Sequence, residues 1–191
     1  MKKFCYTLFS VLSVSFFAHN AIAQNDNNTA NHNVAITIPE VALLDIETSA
    51  SRNITLQAKH STEAGDPISF EGVTNSDLWL NYSSIVSTAN VSRKITAQLT
   101  GSVPAGVQLK VVAGNSVSGG GTRGTSVANG VTLTSTPQDL VTGIGSSYTD
   151  NGPEKGHQLT YSLSLVDASS YGDLRFDQSN QVEVTYTIIN Q

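Results

Sequence analysis

Leu159-Thr160-Tyr161-Ser162-Leu163-Ser164-Leu165 decides the fold. Apolar and hydroxyl side chains alternate without a break, so one face of the segment is greasy and the other wet. A period of two is the signature of a β-strand buried on one side only. The pattern recurs in both directions from this stretch. Val182, Val184, Tyr186 and Ile188 alternate with Glu183, Thr185 and Thr187. Upstream, Val107, Leu109 and Val111 alternate with Gln108 and Lys110, and Ile95, Ala97 and Leu99 with Thr96 and Gln98. Leu78, Leu80 and Tyr82 alternate with Trp79 and Asn81, Ile54, Leu56 and Ala58 with Thr55 and Gln57, and Val34, Ile36 and Ile38 with Ala35 and Thr37. Shorter apolar runs lie at Val41–Ile46, Ile68–Phe70 and Val131–Leu133.

Turn chemistry separates these runs: Gly65-Asp66-Pro67, Gly101 to Gly106, Asn129-Gly130, Asn151-Gly152-Pro153 and Tyr171-Gly172-Asp173. About nine or ten short strands with such spacing predict an all-β, single-domain antiparallel β-sandwich, immunoglobulin-like or Greek-key. The apolar rows of two sheets would meet face to face. Gly114 to Gly130 reads as a long hairpin loop. Its Gly119-Gly120-Gly121 run lacks the strand–loop–helix setting that makes such glycines a phosphate cradle. A short turn near Asp139 to Val141 is the one allowance for helix.

The N-terminus sets the compartment. Lys2 and Lys3 precede an apolar run from Phe4 to Phe17, and Ala21-Ile22-Ala23 offers a small–x–small cleavage site. Residues 1–23 therefore read as a secretory signal peptide, with Gln24 the new N-terminus. The apolar run is too short to span a bilayer, so no membrane span is expected after cleavage. Residues 24–33 are polar and Asn-rich, a flexible leader, and residues 34–191 form the sandwich domain. Export places the protein in the periplasm, at the cell surface or in the extracellular space. The single cysteine, Cys5, and the single methionine leave with the signal. The remaining chain has no thiol for a disulfide, a nucleophile or a metal.

The formal net charge is −5, and it becomes more negative once Lys2 and Lys3 are removed. Basic residues are scattered, with only Arg93-Lys94 adjacent in the exported part, so nothing matches the phosphate backbone of a nucleic acid. His32, His60 and His157 are dispersed and read as solvated loop or edge residues rather than zinc ligands. No G-x-S-x-G elbow occurs. Glu40, Glu47, Glu63 and Glu71 read as surface acids, although carboxylate pairs are made in space and escape a sequence. No cofactor and no enzymatic activity are expected; an enzyme lacking any recognisable motif ranks last among the readings.

Three groups of residues are candidates for contact with something else. Asp167, Asp173 and Asp177 share one loop, where carboxylates can cage calcium or simply form turns. Trp79, Tyr82, Tyr148 and Tyr171 are the aromatics that could form a glycan platform. The two ends, Val34, Ile36 and Ile38 at the start and Val184, Tyr186 and Ile188 at the finish, are β-formers placed where strands can be exchanged or added. If the first row fills the domain's own core, Ile36→Asp should destabilise the monomer.

The start Asn33-Val34-Ala35-Ile36-Thr37-Ile38, the turn-into-strand Pro104-Ala105-Gly106-Val107-Gln108-Leu109 and the finish Val182 to Ile188 resemble secreted bacterial immunoglobulin-like surface subunits, the fimbrial pilins and spore-coat-U-like proteins. The resemblance implies a structural or adhesive envelope protein whose partners are copies of itself or other envelope proteins. A module binding glycan or another envelope protein through Trp79 and loop aromatics is the alternative. The chain departs from those families in lacking a disulfide. It also carries Asn190 where a pilin places an aromatic, with Tyr186 four residues further in.

Overall fold

A computed structural model describes residues 29–178 and 180–191, and they fall into two units, the first ending at Thr37 and the second running Ile38–Gln191. The described part of the first unit, residues 29–37, has no regular secondary structure and is exposed. The expected signal peptide, its cleavage site and the first part of the leader lie outside the described residues.

The second unit is all-β. Among the described residues it has nine strands, β1 Val41–Glu47, β2 Thr74–Ile85, β3 Arg93–Thr100, β4 Val107–Ala113, β5 Gly120–Ser126, β6 Val131–Thr132, β7 Gln138–Tyr148, β8 His157–Leu165 and β9 Glu183–Asn190, with one short 3-10 helix at Ala168–Asp173. Every strand pairing is antiparallel, in the order β6-β4-β8-β2-β7-β3-β9, with β1 added beside β2 and β5 beside β7. The long strand β2 belongs to both halves of this network. Its first part pairs with β8, while Ser83 and Ser84 pair with Tyr148 and Ser147 of β7. At the other end the Leu99 amide donates to the Thr134 carbonyl and the Leu133 amide to Leu109, so the segment after β6 touches both β3 and β4. The sheet thus curls over one core, in the manner of a sandwich.

Leu80, Ile95, Leu140, Ile144, Leu159, Val111 and Val141 are fully buried there. Each large aliphatic contributes about 1.5–3 kcal/mol by leaving water. Leu109, Val111 and Ala113 of β4 and Leu159 and Tyr161 of β8 supply the inward row of one half. Ile95, Ala97 and Leu99 of β3 supply that of the other. The alternation of these strands is the direct imprint of one-sided burial.

Five local expectations fail. Val34, Ile36 and Ile38 belong to no strand and are 69%, 85% and 76% exposed. Hence Ile36 does not fill a core, and Ile36→Asp is now expected to leave the fold standing. Residues 54–58 are irregular, although Ile54 and Leu56 still pack on the core. Around Ile68 and Phe70 there is only an isolated bridge between Lys59 and Ser69. Conversely, β5 lies inside the expected loop and β7 covers the expected helical turn. Gly121 and Gly124 of β5 have positive φ, and a Cβ on Gly121 would run into the Ser146 carbonyl. Here glycine allows close approach of two backbones at a bulged pairing rather than a loose loop. In β7 the consecutive residues Leu140 and Val141 are both buried, because a register shift against β3, where Ile95 faces Val141 and Thr96 faces Asp139, breaks the period of two.

Candidate functional site

The outer surface of β1, β2, β7 and β5 carries two well-exposed large side chains, Leu43 and Tyr148. Register brings Leu43, Ser83, Tyr148 and Gly120 into one lateral row across these four strands. Paired residues project to the same face, which is the face opposite Leu80 and Tyr82. Leu43 is 65% and Tyr148 53% exposed. The Tyr148 ring lies over the α-carbon of Gly120, since a Cβ there would sit 3.1 Å from its Cε1. A shallow hollow of about 470 Å³ opens beside this row, lined by Leu43, Asp45, Asn81, Tyr148, Asp150 and Asn151 among others. Asp45 is engaged already: it accepts from the Ile46 amide at 2.8 Å and pairs with Arg52 at 3.3 Å. Asn81 is buried beneath the turn after β7, its Nδ2 donating to the Gly152 carbonyl at 2.7 Å.

The aromatics read from the sequence do not assemble into one platform. Tyr82 points into the core. Trp79 shares the outer face with Ser83 but is half-buried, flanked by Glu47 and Gln158. Tyr171 sits in the 3-10 helix at the opposite end of β8, its hydroxyl accepting from the Ile68 amide at 3.1 Å. Only Tyr148 stands on the hollow with a ring open to solvent.

The loop acids do not converge either. Asp167 caps the 3-10 helix: one carboxylate oxygen accepts from the Ser169 and Ser170 amides at 2.9 and 3.0 Å and from both hydroxyls. The serine hydroxyls and amides hold its pKa below the usual value. Among the described residues, no three His, Cys, Asp or Glu side chains are grouped to hold a metal, so Asp167, Asp173 and Asp177 do not form the expected calcium cage. Asp167 is a helix cap.

His157 is the larger surprise. Expected to be solvated, it is buried at the start of β8, 1% exposed. Nδ1 lies 2.7 Å from the Gly114 carbonyl, which can only accept, so Nδ1 carries the proton. Nε2 faces the Tyr82 hydroxyl at 3.2 Å, and that hydroxyl also reaches the Arg123 carbonyl. Burial pushes the imidazole pKa down, with the Gly114 bond opposing and the nearby Arg123 charge assisting. Burial likewise raises the Tyr82 pKa. Ser126 Oγ is 3.2 Å from Nδ1 but donates to Gly114 as well. A nucleophile needs its base unprotonated on the facing nitrogen. Here that nitrogen is a donor, so Ser126 and His157 tie β5 to β8 and activate nothing.

Arg93 was also missed. It is 3% exposed, at the inward end of β3. Its guanidinium donates to the Val41 carbonyl, to Ser84 Oγ at 3.3 Å, to Asn190 Oδ1 at 3.2 Å and to the Glu40 carboxylate. One side chain thereby holds the start of β1, the middle of the fold and the end of β9. Both residues had a legible signal. Arg93 has the parity of Ile95, Ala97 and Leu99, and His157 that of Leu159 and Tyr161, so alternation alone puts them inward.

At the finish of the chain, Val184, Tyr186 and Ile188 lie in β9, half-buried on the core, and β9 pairs with β3 along its whole length. The Tyr186 hydroxyl meets that of Tyr161 at 2.6 Å. Among the described residues no strand pairs with the far edge of β9, and the same holds for β1 and β5. Together the fold and these surfaces define an all-β, sandwich-type domain with open strand edges. No family model, curated protein or solved structure matches the chain.

Proposed function

We propose that the protein is an exported β-sandwich subunit of the bacterial envelope, structural or adhesive, which joins copies of itself by strand addition and performs no bond chemistry. The observation that carries this reading is the segment Asn33–Ile38. It has the strongest exposed apolar alternation in the chain, yet it belongs to no strand of its own domain. An extended apolar row without a partner is suited to a sheet edge on another copy. The edge of β9 is the best match, since Val184, Tyr186 and Ile188 beside it are only half-buried, whereas β5 offers Gly, Ser and Thr.

The energetics set the scale. Burying Val34, Ile36 and Ile38 contributes at most about 5–9 kcal/mol, against an association cost of about 4–15 kcal/mol. A single junction is therefore weak, and assembly should appear only at high protein concentration or in arrays. Sedimentation of the exported chain over a wide concentration range tests this. Concentration-dependent oligomers that vanish in Ile36→Asp, with an unchanged unfolding curve, support the reading. A monomer at every concentration, indistinguishable from the variant, defeats it.

A second reading rests on Tyr148. A half-exposed ring beside Asp150 and Asn151 on a shallow hollow has the chemistry to stack on a sugar and accept its hydroxyls. Titration with a monosaccharide panel, compared with Tyr148→Ala, separates it: saturable binding lost in the variant favours a glycan module.

A further inference from the structure

The two Asn-Gly pairs, Asn129-Gly130 and Asn151-Gly152, are chemically identical dipeptides held in very different ways. We infer that Asn151 is a site of spontaneous deamidation and that the fold protects Asn129. In this reaction the backbone nitrogen of the following residue attacks the side-chain amide carbon. An N–C bond forms, ammonia leaves, and a cyclic imide closes. Water then opens the ring at either carbonyl, giving aspartate or its β-linked isomer. Glycine at the second position removes the side chain that would obstruct the attack. What remains is whether that nitrogen can reach the amide.

At Gly130 it is held away. Its amide donates to the Val127 carbonyl at 3.0 Å. Its α-carbon is pressed against β4, where a Cβ would strike the Val111 carbonyl and stand 2.7 Å from the Val112 α-carbon. Ring closure would have to break that bond and lift the turn off the strand.

At Gly152 nothing comparable operates. Among the described residues its amide donates no hydrogen bond, and no heavy atom lies within 4 Å of where a Cβ would stand. Asn151 is exposed. The one restraint is on the far side of the glycine, where its carbonyl accepts from Asn81 Nδ2 at 2.7 Å. That restraint also makes the modification consequential. The β-linked product inserts a methylene into the backbone one residue before this carbonyl and adds a negative charge beside Asp150. The buried Asn81, whose Oδ1 already lacks a partner, would lose its remaining bond. The rim of the hollow at Tyr148 would be rebuilt as the protein ages.

The test is peptide mapping by mass spectrometry after incubating the native chain at mildly alkaline pH, with a parallel sample kept unfolded in denaturant. In the native sample Asn151 should convert roughly tenfold or more faster than Asn129, the factor set by breaking one backbone hydrogen bond before attack. In denaturant the two sites should convert at similar rates. Asn151→Gln should remove the native-state reaction and leave the unfolding curve unchanged. Equal native rates, faster conversion of Asn129, or a native Asn151 that is as inert as Asn129 would each overturn the proposal.

Discussion

Replacing Arg93 by methionine should loosen both ends of the domain at once. Methionine keeps most of the side-chain bulk and the apolar stem but deletes every donor. The Val41 carbonyl and Ser84 Oγ lose their guanidinium partner inside the fold, while Glu40 and Asn190 are near enough to solvent to be rehydrated. Ser84 is fully buried. Stranding a buried acceptor costs about 1–3 kcal/mol, and relief of the buried charge offsets part of that. The exposed pair with Glu40 adds about 0–1 kcal/mol. A net loss of about 3 kcal/mol is expected, equivalent to roughly 6–12 °C in Tm for a domain of this size. Urea unfolding gives the magnitude, and amide hydrogen exchange gives the place. Protection should fall first at the start of β1 and the end of β9, with β4 and β8 last. A loss under about 1 kcal/mol, or a uniform loss of protection, would show that Arg93 does not clamp the termini.

Glycine positions and titratable groups give further tests. Gly121→Ala should unseat β5, because its Cβ meets the Ser146 carbonyl at a positive φ, whereas Gly143→Ala, also at positive φ but in open space, should cost about 1 kcal/mol; thermal melts of both variants decide it. The folded pKa of His157 lies below its unfolded value of 6.5, so stability should be constant above that value and fall as the pH drops below it, down to the folded pKa. His157→Gln should flatten this slope, while the lowered pKa of Asp167 leaves a separate decline below 3.8; urea midpoints across the acid range measure both.

How much of this was legible beforehand depended on how each strand is buried. In β4, β8 and β9 one face meets the core and the other is more open to water, so Leu159-Thr160-Tyr161 declares itself by alternation; β3 keeps the same pattern although Thr96 is also buried. The same parity places Arg93 and His157 inward, a reading that their charge discouraged. β5 and β7 were hidden because their pairing is bulged. Bulges put Leu140 and Val141 inward together, and they demand glycine where backbones crowd, so a strand looked like a loop. Val34-Ala35-Ile36-Thr37-Ile38 shows the converse: a good pattern is necessary for a half-buried strand but does not supply the neighbour that buries it.

Composition and periodicity alone therefore determined the class of this protein: all-β, antiparallel, stabilised by packing and backbone pairing. Those properties follow from side-chain type and spacing along a single segment. Which side chains meet was decided only by tertiary structure. Tyr82 goes to a buried histidine and Tyr148 to a surface hollow, Asp167 becomes a cap, and Arg93 joins residues from the start and the finish of the domain. Such partners lie far apart in the chain and are chosen by the order in which strands pair, and no local pattern encodes that order.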